Sequence, residues 1–235
     1  MVRVWVGDGA VLDGDLEVPA EAAAVVLFAH GSGSGRMSPR NRYVAGELRR
    51  AGLATLLLDL LTEEEEESER VTRQLRFDIE LLVRRLLGAA HWVRQQPETR
   101  LLPLGYFGAS TGAAAALVAA AREPGDLLAV VSRGGRPDLA GPALLDVSAP
   151  TLLIVGGEDP EVLQLNRTAL EALRCDKRLE LVPGATHLFG EPGALEHVAQ
   201  LAADWFVSQL ERVHRSPHLR GYPPGADHGG HPGTR

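Results

Sequence analysis

Six short, mainly apolar runs recur along this chain, at Ala24–Phe28, Thr55–Leu58, Leu101–Phe107, Leu127–Val131, Leu152–Val155 and Leu179–Val182. A strand in the middle of a parallel sheet is covered on both faces, so it reads as a continuous apolar stretch rather than an alternating one. Between the runs lie segments with helical spacing. The clearest carries Val71, Leu75, Ile79, Leu82, Leu86, Ala90 and Val93, in steps of three and four that put one apolar stripe on one face. This predicts a single helix packed on the sheet, with further helices at about 41–51, 111–122, 161–173 and 194–213. Ahead of the first run the pattern differs. Val2, Val4 and Val6 alternate with Arg3 and Trp5, and Leu12, Leu16 and Val18 with Asp13, Asp15 and Glu17, around a Gly7-Asp8-Gly9 turn. That period belongs to half-buried antiparallel strands. The expected architecture is α/β: a mostly parallel central sheet with helices on both faces, opened by an N-terminal antiparallel hairpin.

One domain over residues 1–212 accommodates these elements. Residues 213–235, with His214, His218, His228 and His231 among prolines and glycines, show little apolar periodicity, and a disordered tail is expected that does not form a metal site. The formal net charge of −7, with no dense Lys/Arg patch interleaved with aromatics, argues against a nucleic-acid partner. No apolar run approaches the roughly 18 residues of a membrane span. With no signal-like stretch near Met1 and one cysteine, Cys175, the expected location is the cytoplasm. Five consecutive carboxylates, Glu63–Glu67, read as a solvated loop and helix entry.

Chemistry concentrates at Gly108-Ala109-Ser110-Thr111-Gly112, where an apolar run passes into the alanine-rich stretch 113–121. Strand, tight turn and helix are the context of a G-x-S-x-G nucleophile elbow, in which the serine hydroxyl stands above the sheet. A bare Gly/Ser/Gly turn explains the pentapeptide about as well, so the partners decide. A serine nucleophile needs a base, and the base needs an acid to fix its tautomer. The run ending at Val155 leads into Gly156-Gly157-Glu158-Asp159, and Asp159 is the candidate acid, with Glu158 as alternative and helix capping as the plain reading. The next run leads into Pro183-Gly184-Ala185-Thr186-His187, which makes His187 the candidate base. Thr111 N–H, at the start of the helix, and Ser32 N–H, in His30-Gly31-Ser32-Gly33-Ser34-Gly35, are the candidate oxyanion donors. The glycine-rich loop lacks the Gly-Lys-Ser/Thr of a nucleotide cradle, and no cofactor is expected.

With His30-Gly31-Ser32, Gly108 to Gly112, Gly157-Glu158-Asp159 and Gly184-Ala185-Thr186-His187 in this order, the chain resembles the dienelactone hydrolase-like branch of the α/β-hydrolase superfamily over about residues 1–212. The resemblance implies an α/β-hydrolase fold, a triad of Ser110, Asp159 and His187, and carboxylic ester hydrolysis. Dienelactone hydrolases proper carry cysteine where this chain has Ser110. Some relatives of this type are joined to phosphoribosyltransferase domains, which implies a metabolic setting.

Only residues 132–150 separate two of the predicted strands, too few for a cap domain, so the expected site is open and suited to a small soluble acyl compound. Arg133 and Arg136 follow a strand end on the same edge and, with Arg36, Arg40 and Asn41 in the first loop, are candidates for holding a substrate anion; surface ion pairing is the competing role, more so for Arg136. The expected function is serine hydrolysis of an ester, lactone or related acyl compound. The alternatives are acyl transfer by the same triad and a catalytically silent binding module.

Overall fold

The computed structural model describes residues 1–7, 9–125 and 127–215. Eight strands form one sheet: β1 (Val2–Trp5), β2 (Val11–Glu17), β3 (Ala24–Ala29), β4 (Leu53–Leu58), β5 (Leu104–Ala109), β6 (Leu127–Arg133), β7 (Thr151–Gly156) and β8 (Lys177–Val182). Their order is β1-β2-β4-β3-β5-β6-β7-β8. β1 pairs antiparallel with β2, and β2 antiparallel with β4; every later pairing is parallel. This is the α/β-hydrolase fold, opened as expected by an antiparallel hairpin. Helices α1 (Pro39–Arg50) and α6 (Ala194–Arg215) cover one face; α3 (Ile79–Val93), α4 (Thr111–Arg122) and α5 (Pro160–Ala172) cover the other. Strands β3, β4, β5 and β7 are buried along their whole length, which is why they read as unbroken apolar runs.

Departures from expectation have local causes. β5 starts at Leu104 rather than Leu101, which is exposed, because Pro103 between them has no N–H to give a ladder. β8 is the sheet's last strand, and only Val182 in it is buried. The stripe from Val71 to Val93 is not one helix. Arg73 turns left-handed at φ 55°, a 3-10 turn follows at Leu75–Phe77, and Asp78 starts α3 by accepting from Leu81 N–H at 2.9 Å. An N-cap residue inside the periodic stripe ends one helix and begins another, and Val71 is left 85% exposed. The acidic run is itself helical: α2 (Glu63–Thr72) starts at Thr62, whose hydroxyl accepts from Glu65 N–H while the Glu65 carboxylate accepts from Thr62 N–H. Carboxylates in a first turn are favoured by the helix dipole.

Between β6 and β7 the chain makes only 3-10 turns, Pro137–Asp146, interrupted at Gly141 and packed on α4; no cap is inserted there. α6 continues to Arg215, three residues past the expected domain limit at 212, and includes His214. The rest of the expected tail lies outside the described residues. No described helix is long and apolar enough to cross a membrane.

Candidate active site

Ser110 stands between the last residue of β5 and the first of α4, with φ 51° and ψ −121°. A side-chain-bearing residue held there stores about 1–3 kcal/mol of strain and persists only when its surroundings fix it. They do so through the main chain: Ser110 N–H donates to Arg133 O at 3.2 Å, and Ser110 O accepts from Ala113 N–H and Arg136 N–H, each at 3.1 Å. Gly112 lets α4 approach closely, since a Cβ there would lie 2.2 Å from Ala29 O and 2.4 Å from His30 O. Six of the seven residues from Ala113 to Ala119 are alanine or leucine and all seven are buried, so this helix packs at short range with its N-terminus at the serine. The first N–H groups of a helix have no intrahelical acceptor, which leaves Thr111 N–H free to serve a developing oxyanion.

For Asp159 the sequence leaves helix capping and the role of an acid both open. It occupies the N-cap position of α5, yet its carboxylate caps no backbone amide there. Instead Asp159 Oδ2 accepts from His187 Nδ1 at 2.7 Å. With Nδ1 carrying the proton, Nε2 is the nitrogen left to accept one. Glu158 is exposed and joins in through its amide, which donates to Ala185 O at 2.9 Å. The acid and base loops touch directly: a Cβ on Gly156 would meet Ala185 O at 2.3 Å. Behind His187, buried Phe189 is held at φ 53° and its N–H donates to Thr186 O at 3.1 Å. His187 approaches the elbow through Gly134, where a Cβ would come within 3.5 Å of His187 Cε1; the preceding residue, Arg133, accepts from the Ser110 amide. Gly134, Gly156 and Phe189 were not singled out from the sequence, because backbone proximity between loops has no local signature.

On the oxyanion side His30 is buried and both ring nitrogens are engaged, Nδ1 with Gly31 O at 2.9 Å and Nε2 with Leu60 N–H at 2.9 Å. Burial lowers its pKa, although the Gly31 carbonyl and Asp59 pull the other way. A neutral His30 with both nitrogens occupied shapes the loop. Ser32 is tied to the elbow, its hydroxyl 3.2 Å from Thr111 Oγ1, which places the two candidate oxyanion donors on facing segments.

The arginines separate. The anion-binding role expected for Arg36 loses its basis, because its charge is already matched: Nε lies 3.2 Å from Asp59, Nη2 3.8 Å from Asp13, and its amide donates to Asp59 Oδ1 at 2.6 Å. Arg136 forms a bidentate pair with Asp138 at 2.8 and 2.7 Å. Arg133 is buried over the Phe107 ring, 5.9 Å from its centroid, and makes no ion pair among the described residues.

A cleft of about 930 Å³ opens beside the glycine-rich loop at His30–Gly35, and Ser110 is not among its lining residues. Ser32, Gly33, Arg40 and Asp59 line one wall, and Glu63, Glu66 and Arg70 of α2 the other. Its floor shares Ser32 and His30 with the oxyanion loop. The wall formed by α2 was not foreseen from the acidic run. Glu69 of that helix is buried against Arg76; burial raises its carboxyl pKa, but Arg76 and the Leu75 amide outweigh this and the net shift is downward.

Comparison with known proteins adds a family to this geometry. The model of the dienelactone hydrolase family matches residues 12–213. The chain belongs to that family. A dienelactone hydrolase from Anabaena variabilis, known from its crystal structure, is 61% identical, with a TM-score of 0.86 over 88% of this chain and 95% of that one. Est1E from Butyrivibrio proteoclasticus shares the dienelactone hydrolase-type fold at 15% identity, with a TM-score of 0.74 over 89% of this chain and 98% of its own. A Mycobacterium tuberculosis H37Rv protein, whose name assigns it provisionally to the phosphoribosyl transferases, is 59% identical over 197 residues, 84% of this chain. The match spans only 44% of that relative, so this chain covers less than half the length of the curated proteins it resembles. Family and fold together make it an α/β-type hydrolase.

Proposed function

We propose that this chain is a serine hydrolase that cleaves a small soluble ester, lactone or related acyl compound through an acyl-enzyme on Ser110. The observation that carries the reading is the Asp159 carboxylate, which leaves the amides of its own helix uncapped and accepts from His187 Nδ1 at 2.7 Å, beside a serine in a strained elbow.

In this mechanism Ser110 Oγ attacks the acyl carbon as its proton passes to His187 Nε2. The carbonyl oxygen becomes an oxyanion and accepts from Thr111 N–H and Ser32 N–H. Collapse breaks the bond to the leaving group, which takes the proton from His187 Nε2. Water then attacks the acyl-serine, giving a proton to the same nitrogen, and Ser110 recovers it as the acid departs. Throughout, Asp159 fixes the His187 tautomer and offsets the imidazolium charge.

The name of the Anabaena relative makes lactones one substrate class to screen. The mycobacterial relatives are more than twice as long as the matched segment, and in our reading any phosphoribosyl transfer they perform resides outside it. Rapid mixing with an activated ester, quenching in acid and intact-mass measurement test the proposal. An adduct of acyl mass mapping to Ser110, absent from Ser110→Ala, is expected. Hydrolysis that proceeds unchanged in Ser110→Ala would exclude it.

A further inference from the structure

Ser110 and Asp159 lie on different elements, one ahead of α4 and the other at the start of α5, and a buried side chain links the two. Asn166 sits about two turns along α5 from Asp159 and is fully buried. Its Nδ2 donates to Val162 O in its own helix at 2.8 Å and to Gly135 O, just past the end of β6, at 3.0 Å. Both acceptors are carbonyl oxygens, so the nitrogen of the side-chain amide, not its oxygen, must face them. The oxygen, Oδ1, is enclosed without a hydrogen-bond partner. A buried amide that satisfies only one of its ends is a poor stabiliser, and α5 fills its other buried positions with Val162 and Ala169. What Asn166 adds is direction.

Gly135 O belongs to the same peptide group as Arg136 N–H, which donates to Ser110 O at 3.1 Å. That group is planar and trans, so its C=O and N–H point in opposite directions and cannot be aimed independently. Anchoring the carbonyl on Asn166 therefore aims the N–H at Ser110. The group is also wedged in place: a Cβ on Gly135 would lie 2.0 Å from Ser132 Oγ and 2.7 Å from Ala113 Cβ, in the first turn of α4. The direction of Ser110 O is set by its ψ of −121°, in a residue whose φ of 51° persists only while its surroundings hold it. We infer that Asn166 is a positioning residue, which through the 135–136 peptide holds the Ser110 carbonyl, and with it the elbow, in register with the helix that begins at Asp159. The effect on rate rests on the serine hydrolase reading; the hydrogen-bonded link does not.

Two measurements separate the link from its consequence. The first is the rate constant for acylation by an activated ester, taken from the pre-steady-state burst, in the wild type, Asn166→Ala and, as control, Leu173→Ala. The control removes a buried side chain at the end of the same helix without touching the 135–136 peptide. Lost alignment of Ser110 predicts a fall of about 10- to 100-fold for Asn166→Ala, with the half-saturating ester concentration little changed. Leu173→Ala should lower Tm yet acylate within about twofold of the wild type while folded. An acylation rate unchanged in Asn166→Ala, or lost equally in Leu173→Ala, would overturn the assignment.

The second is amide hydrogen exchange read residue by residue by NMR, which needs no turnover. In Asn166→Ala the Arg136 amide should lose protection by about 10-fold or more, while the Gly134 amide, which donates to Ile154 O at 2.8 Å, keeps its own. Protection at Arg136 that survives the substitution overturns the link whatever the kinetics show. A wild type that forms no acyl-enzyme refutes the serine hydrolase reading instead, and the exchange result still decides the link. If Asn166→Ala does not fold, Asn166→Leu, which leaves no cavity and likewise has no donor, carries both measurements.

Discussion

On the side of Ser110 that holds Asp159 and His187, one side-chain pair is set in loops that otherwise meet backbone to backbone, whereas on the side of the glycine-rich loop the close approach of Gly112 to Ala29 and His30 is joined by many charged and polar side-chain contacts. Gly156 lies against Ala185 O, the Glu158 amide donates to the same carbonyl, and the Ser110 amide donates to Arg133 O. Across the elbow, Arg36 meets Asp59 and Asp13, Glu69 meets Arg76, Glu65 meets Arg85, and Ser32 meets Thr111. Contacts made by main chain do not change with side-chain identity unless a Cβ intrudes, so the placement of Asp159 and His187 should withstand most substitutions around them. Contacts made by side chains change one residue at a time, so the cleft wall built by α2 should be the part most sensitive to substitution.

The comparison breaks most visibly at the acid. Asp159→Asn keeps the shape of the loop but removes the charge that sets the His187 tautomer, and kcat should fall by about 10³- to 10⁴-fold. A pre-steady-state burst with the same ester would check that the acylation step is the one lost. Next comes Gly156→Ala. Its Cβ would have to displace the backbone that carries His187, and misplacement by about 1 Å costs on the order of 10²-fold in kcat. Hydrolysis rates together with an unchanged far-ultraviolet spectrum would show lost geometry rather than a lost fold.

On the other side the effects should be smaller and fall on stability. Glu69→Gln leaves Arg76 without its partner. Because Arg76 is partly exposed, a loss of about 1–2 kcal/mol is expected in chemical denaturation, with kcat changed less than threefold. The smallest effect is the pH response of His30. Its folded-state pKa lies below the unfolded value, so the unfolded chain binds more protons as pH falls. Stability should accordingly be intact above the unfolded pKa and decline below it. The decline belonging to this residue should appear between pH 7.5 and 5.5. His30→Gln, which keeps an acceptor for the Leu60 amide, should flatten that slope in urea titrations at pH 7.5 and 5.5.

The same division governs what could be read from sequence. The fold was legible because burial on both faces writes itself into Ala24–Ala29, Leu53–Leu58 and Thr151–Gly156 as apolar runs. Ser110, Asp159 and His187 stood out because each follows a run on a short loop. What stayed hidden depends on residues far apart in the chain. Nothing local distinguishes Arg36, neutralised by Asp59 twenty-three residues on, from Arg133, which finds no carboxylate. The break between α2 and α3 was written at Asp78, but a stripe of apolar residues running past it masked the cap. The wall that α2 builds against the oxyanion loop depends on how a solvated-looking acidic segment docks, which its composition does not specify.

The central claim is that His187, held by Asp159, activates Ser110. Labelling with a fluorophosphonate probe, followed by peptide mapping, tests it without knowledge of the substrate. The account predicts a single modified peptide containing Ser110 in the wild type and labelling that largely disappears in His187→Ala. A folded wild-type protein that takes up no label, or one labelled equally well without His187, would contradict it.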